Sequence, residues 1–238
     1  MIEADLGPAR VAWTDRHGGV SVAPFDTANL GASVGDDTDA VAENRRRLGA
    51  ALGLGDPGTW CWLHQVHGAV VVEGAAVHAS RLPEADAAVT ATPGLPLVVQ
   101  TADCAPLALA TDDAVAVVHA GWPGLLAGVI EAAVRELRVV GRGPVRAALG
   151  PCIHPDDYEF GRADLDRMVA ALGPSVEGRT RAGAPALDVP AAVRVALTRA
   201  GVDSLTDVDV CTFGSTDHYS HRRDGVTGRQ VVVAVLAP

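Results

Sequence analysis

The stretch from Ala85 to Gly121 constrains the chain most. It holds four short apolar runs in a row, "ADAAVTATPG", "LPLVVQTAD", "APLALATDD" and "AVAVVHAG", each closed by Pro, Gly or Asp. Runs of this length, punctuated by turn residues, read as strands. "GLLAGVIEAAVRELR" follows at positions 124–138, with apolar residues at 125, 126, 129, 130, 133, 134 and 137. That spacing predicts one helix with a buried face. Strands in series followed by a covering helix predict an α/β fold, with helices over a mixed sheet or over two packed sheets.

The flanking segments fit this frame. "VAWTDRHGGVSVAPFDTANLGASVGDD" reads as a strand followed by irregular loops. "DAVAENRRRLGAALG" predicts a helix, with Val41, Leu48 and Leu52 near helical spacing and Asp37 or Thr38 available as its cap. "TWCWLHQVHGAVVVEG" predicts two strands around a turn at Gly68. "VRAALGP" predicts a strand, and "RADLDRMVAALG" a helix ending at Gly173. "EGRTRAGAPA" reads as a surface loop, and "VPAAVRVALTRAG" as a helix with Pro190 near its start. "DVDVCTF" and "RQVVVAVLAP" read as closing strands. There is no repeat or low-complexity linker, and 238 residues suffice for one large or two small domains. Aromatics are only 4% against 48% hydrophobic, so Ala, Val and Leu must fill the core.

Charge narrows the function classes. A formal net charge of −10 argues against a nucleic-acid or anionic-membrane partner, since both need a basic face. All nineteen basic residues are arginine, which rules out a lysine Schiff base and a P-loop lysine. Any phosphate must therefore be held by arginine, backbone amides or a metal. No apolar run approaches a membrane span, and "MIEADLGPARVAW" has no basic region of the kind that opens a signal peptide. The four cysteines, Cys61, Cys104, Cys152 and Cys211, are widely spaced with no CxxC pair. A cytoplasmic protein without a disulfide framework is expected.

Cys104 sits in a polar turn between two of the strand-like runs, flanked by Asp103 and Pro106. On the residues alone it reads equally as a buried thiol, a nucleophile or a metal ligand. His119 and His67 each end an apolar run, and a Cys-His-His set suits Zn²⁺ with a fourth position left open. His64 lies three residues before His67, so on an extended strand the two would face opposite ways unless the strand breaks there. The same holds for His218 and His221. His78 and His154 read as surface or core histidines. "SHRRDGVTGRQ" offers either a solvated loop or an anion clamp through Arg223 or Arg229.

Taken in order, "RHGGVS", "NLGASVGDD", "ENRRRL", "QVHG", "TADCAPLAL", "VHAGWPG", "LGPCI" with "YEFG", and "SHRRDGVTGRQ" resemble the YfiH/YlmD laccase-domain family over nearly the whole chain. The resemblance implies a single domain over residues 1–238, a four-layer α/β/β/α sandwich of mixed sheets. It implies zinc on His67, Cys104 and His119. It also implies phosphorolysis of adenosine, inosine and methylthioadenosine, and deamination of adenosine. The partners expected are a purine nucleoside and phosphate, bound by a monomer or weak homo-oligomer. The catalytic set expected is Cys104, His119 and Asp103, the last protonating the departing base or orienting a ligand. Arg223, Arg229 and His64 are expected to bind substrate. The chain departs from the family pattern at Pro123, where arginine usually follows "HAGW", and at Asp157, where a cysteine often precedes "YE".

Other readings are copper-dependent phenol oxidation, which the family's older name asserts; a cysteine hydrolase acting on cell-wall precursors in peptidoglycan editing; and a non-enzymatic binding protein. Blue-copper sites add a weak axial Met to two His and one Cys. The methionines here are Met1 and Met168, and HxH pairs of coupled copper centres are absent from the sequence.

Overall fold

Residues 1–75, 82–202 and 204–237 are described in a computed structural model. In chain order the first elements are β1 (Ile2–Leu6), β2 (Ala9–Trp13), α1 (Thr38–Leu52), β3 (Val71–Glu73), β4 (Ala87–Thr90) and β5 (Leu97–Thr101). Next come β6 (Ala105–Ala110), β7 (Val115–Ala120), α2 (Trp122–Ala127), α3 (Val129–Val140) and β8 (Arg146–Leu149). The remainder are α4 (Arg162–Leu172), β9 (Glu177–Arg179), β10 (Pro185–Leu187), α5 (Val189–Arg199), β11 (Ser204–Asp207), α6 (His221–Asp224) and β12 (Gln230–Leu236). His78 lies outside the described residues.

Side-chain alternation sorts these strands into layers. An antiparallel sheet runs β1-β2-β12-β5, and a mixed sheet runs β11-β8-β6-β7-β4-β3. In the mixed sheet the two outer pairs, β11 with β8 and β3 with β4, are parallel. On β6, Leu107 and Leu109 pack toward α3, α4 and α5, while Ala108 and Ala110 face the other sheet. On β12, Val232, Ala234 and Leu236 face that same inter-sheet space, while Val231 and Val233 turn to Leu48 and Leu52 of α1. Period two therefore serves two cores from one strand. The result is four layers, α1 over the first sheet, the two sheets face to face, and α3–α5 beneath: an α/β/β/α sandwich. Small side chains such as Ala85, Ala88, Ala108, Ala148 and Ala234 crowd the space between the sheets, as the low aromatic content requires.

The helix ends follow their residues. Asp37 caps α1, accepting from the amides of Asp39 and Ala40, and Gly53 closes it at φ 67. Such a cap contributes about 1 kcal/mol. The single helix expected over positions 124–138 is two, because Gly128 adopts φ 82 between α2 and α3. Glycine tolerates this left-handed turn at little steric cost. Pro123 falls in the first turn of α2, where a missing N–H costs nothing.

Three further segments differ from expectation. "EGRTRAGAPA" is not a loop but the hairpin β9–β10. "DVDVCTF" contributes only Asp207 to a strand and a Cys152–Cys211 bridge; the strand lies earlier, at β11, where Leu205 has polar neighbours on both sides and gives little apolar signal. The first half of "TWCWLHQVHGAVVVEG" makes isolated bridges, Cys61 to Leu97 and His64 to Glu84, instead of a strand. No helix among the described residues is long and apolar enough to cross a membrane.

Candidate metal centre

Two irregular turns and the end of one strand meet at a cleft of about 700 Å³. "QVHG" brings His67, the turn between β5 and β6 brings Cys104, and the end of β7 brings His119. One ligand atom from each lies within 4.8 Å of the others. Cys104 Sγ is 3.8 Å from His67 Nε2, and the two imidazoles meet edge to face at 4.7 Å between centroids. His119 is buried and His67 exposed, so the cluster opens on the cleft. It is the one group of this kind among the described residues.

Each turn has a local cause. Because "QVHG" is not a strand, its backbone needs other partners. Gln65 supplies some, donating to the Gln100 carbonyl and accepting from the Gln100 amide, both at 2.8 Å, which ties the turn to β5. Asp86 supplies the rest. It is fully buried at the head of β4 and accepts from the amides of Val66, His67 and Gly68 and from His119 Nδ1. His67 takes φ 59 under that constraint. Because the strand breaks, His64 and His67 both line the cleft. Gly121 completes the arrangement: a Cβ there would stand 2.6 Å from His67 Cδ2 and 3.2 Å from Cys104 Sγ. Only glycine lets the start of α2 pass so close to two ligands.

Electrostatics favour a charged pair. Burial pushes the Cys104 thiol up, but His119, through charge and hydrogen bond, and His67 outweigh it and bring it down to about 6. Burial pulls the His119 imidazole down, but the Cys104 thiolate and Asp86 raise it to about 9. A thiolate is the form that ligates metal or attacks carbon.

The cleft is cationic beyond the cluster. Arg229 and Arg45 both line it. Arg229 Nη1 donates to the carbonyls of Thr227 and Gly228, and its amide donates to Asn29 Oδ1. Gly31 makes room for the side chain, since a Cβ there would sit 2.7 Å from Arg229 Cγ. Arg45 lies 3.8 Å over the Trp62 ring and donates twice to the Leu30 carbonyl. Burial brings the Arg45 guanidinium down to about 10 and lowers that of Arg229, the latter against the opposing pull of Cys104 and Asp103. Neither arginine is ion-paired within 4.0 Å among the described residues, and such half-buried charge favours an anion in the cleft.

Other expected site residues lie elsewhere. Arg223 does not line the cleft; it donates to the carbonyls of Thr212, Phe213, Ser215 and His218 and pairs with Asp224. Its donors stitch a loop. The Asp103 carboxylate accepts from Thr212 Oγ1 at 2.6 Å and from the Arg222 amide at 2.7 Å. It anchors the turn that carries Cys104 to α6. His218 is buried against Ser215, whereas His221 lines the cleft. Asp157, in the family's cysteine position, pairs with Arg181. The sequence pattern does not single out Asp86 or Arg45, and offers His221 only as one of a pair facing opposite ways. A carboxylate inside the apolar run "ADAAV" was the one visible signal for Asp86.

With this geometry in hand, the family is settled. A family model described as "Multi-copper polyphenol oxidoreductase laccase" matches residues 10–237. The chain belongs to this laccase-domain family. A Streptomyces coelicolor protein named purine nucleoside phosphorylase is 45% identical over 226 residues, 93% of each chain. A Pseudomonas aeruginosa protein of the same name is 44% identical, covering 93% of this chain and 92% of its own. Among solved structures, YlmD from Geobacillus stearothermophilus superposes with a TM-score of 0.88 at 30% identity, covering 97% of this chain and 93% of its own. NMB0706 from Neisseria meningitidis superposes at 0.87 with 32% identity, covering 100% and 99%.

Proposed function

We propose that the protein is a zinc-dependent purine nucleoside phosphorylase acting on adenosine, inosine and methylthioadenosine, with adenosine deamination as a second activity. One observation carries the reading: a His-Cys-His cluster opens on a cleft in which two half-buried arginines lack a carboxylate partner among the described residues. The donor set suits zinc with an open position. An axial methionine for blue copper is not at hand, because Met168 is buried in the helical core and Met1 does not line the cleft. The relatives' shared name, purine nucleoside phosphorylase, supports a purine nucleoside as the substrate class. We read the chain as one cytoplasmic domain, a monomer or weak homo-oligomer.

Bound zinc would supply Lewis-acid polarisation of a substrate oxygen. The chain's own residues do the rest. Arg229 and Arg45 hold phosphate and align it with the ribose carbon that loses the base. Charge developing on the ribose in the oxocarbenium-like transition state is met by that bound anion. His64 and His221 are the lining imidazoles placed to hand a proton to the leaving base. Asp103 holds the Cys104 turn, a positioning role.

Chromatography of adenosine and inosine incubated with zinc-loaded protein, with and without phosphate, tests this. Phosphate-dependent release of free base is expected. Base release that ignores phosphate, or no turnover, would overturn it; inosine from adenosine reports the deaminase arm.

A second reading has its own observation. Cys104, His119 and Asp86 form a Cys-His-Asp relay in which Asp86 orients the imidazole and the thiol is already low. This favours a cysteine hydrolase, with cell-wall precursors as substrate class. Irreversible alkylation of Cys104 in zinc-loaded protein would support it, since a ligated thiolate is shielded.

A further inference from the structure

Asp86 is absent from any set of ligands, yet it is the group on which the cluster depends. Its carboxylate has no solvent exposure and four donors. Oδ1 accepts from the His67 amide at 2.9 Å and from His119 Nδ1 at 2.8 Å. Oδ2 accepts from the Gly68 amide at 2.7 Å and the Val66 amide at 3.2 Å. Its main chain joins in, the Asp86 carbonyl accepting from the His119 amide at 2.7 Å. One side chain thus grips two histidines that lie 19 and 33 residues away in sequence.

We propose that Asp86 is the positioning residue of the metal centre, setting His67 through its backbone and His119 through its ring. The inference rests on the metal reading above and deepens it. The two grips work differently. Consecutive amides of Val66, His67 and Gly68 wrap the carboxylate as a backbone anion nest. A non-glycine residue at φ 59 persists only where its surroundings over-determine it, and the Asp86 bonds provide that constraint. At His119 the logic is tautomeric. A carboxylate that accepts main-chain N–H bonds at both oxygens makes Nδ1 the donor. The lone pair is then left on Nε2, on the side of the ring facing Cys104 and His67. Outer partners of this kind fix ring orientation and ligand basicity.

Asp86→Asn tests both grips because it keeps the shape. An amide has one acceptor oxygen for two pairs of donors. If its NH₂ faces His119, Nδ1 must become the acceptor and Nε2 carries the proton, so Nε2 no longer offers a lone pair. If its NH₂ faces Val66 and Gly68, the turn holding His67 loses its anion. Either way one ligand is misplaced. Zinc affinity, measured by competition with a chromophoric chelator, is expected to fall about 10- to 100-fold. Circular dichroism is expected to stay native. Equal zinc affinity in variant and wild type would overturn the proposal while leaving the metal reading intact. Wild-type protein that binds no zinc would overturn both.

A second measurement needs no variant. In zinc-loaded wild type labelled with ¹⁵N-histidine, His119 is expected to show a slowly exchanging Nδ1–H proton and a metal-shifted Nε2. A proton on Nε2 would overturn the proposal even if Asp86→Asn failed to fold.

Discussion

Two stretches that both begin apolar meet opposite fates. "APLALA" becomes β6, with every residue buried and paired in register with β7, and residues 107–110 also paired with β8. "TWCWLHQVHG" is almost as apolar at its start but forms no strand, touching β5 at one bridge and Glu84 at another. The difference lies in what satisfies the backbone. β6 uses neighbouring strands, whereas the second stretch uses side chains, Gln65 and Asp86. The first region buys stability through packing; the second gives up regularity to aim a ligand.

Substitutions can sharpen that contrast. The largest effect is expected in the regular region: Leu107→Ala should cost about 2–5 kcal/mol in chemical denaturation, through a cavity that packed neighbours cannot fill. Zinc bound per folded molecule should not change. Gly121→Ala should do the reverse. Its new Cβ meets His67 and Cys104, with about 1–3 kcal/mol of overpacking, and zinc affinity should drop more than the melting temperature suggests. A Gly121→Ala protein with wild-type zinc affinity would break the contrast.

The arginines give a smaller, cleaner split. Arg229→Gln should raise the KM for phosphate and lower the denaturation midpoint less than Arg223→Gln does, because its guanidinium holds only the adjacent Thr227 and Gly228 carbonyls. Arg223→Gln should lower that midpoint with little change in the KM, because its guanidinium binds loop carbonyls. The opposite pattern would mean the anion site lies outside the cleft.

The smallest effect is electrostatic. The folded Cys104 thiol, at about 6, lies below its ordinary value, so its contribution to stability fades as pH falls through about 6. The folded His119 imidazole, at about 9, lies above its ordinary value, so its contribution fades as pH rises through about 9. The two trends offset each other, because the folded pair loses its protons near 6 and 9 and the unfolded pair near the ordinary imidazole and thiol values. The melting temperature of metal-free protein should therefore change little through this pair between about pH 6 and 9, while its Cys104 should alkylate faster as pH rises through about 6. A single step in alkylation near the free-thiol value would show that the pair does not form.

The same contrast explains what was legible in the sequence. Strands β4 to β8 and β12 announced themselves through apolar runs with turn residues at their ends, and the four layers follow once each strand face finds a partner. β11 and the β9–β10 hairpin carried no such pattern, because their pairing serves an edge and a surface. Gly128 interrupted a helix whose apolar spacing ran straight through it. At the site, His67 and His119 end apolar runs and Cys104 sits in the turn between two, which only suggests them as ligands; the resemblance to the family is what names them as a set. Asp86 and Arg45 could not be named, since their roles exist only where distant segments meet. Arg223 and Arg229 looked alike in one basic turn, and only the packing of Gly31 and Asn29 singles out the second.

X-ray absorption at the zinc edge of the purified protein tests the central claim most directly. The account predicts zinc with one sulfur at about 2.3 Å and nitrogens at about 2.0–2.1 Å, the shell that one cysteine and two histidines give. A shell without sulfur, or copper in place of zinc, would contradict it.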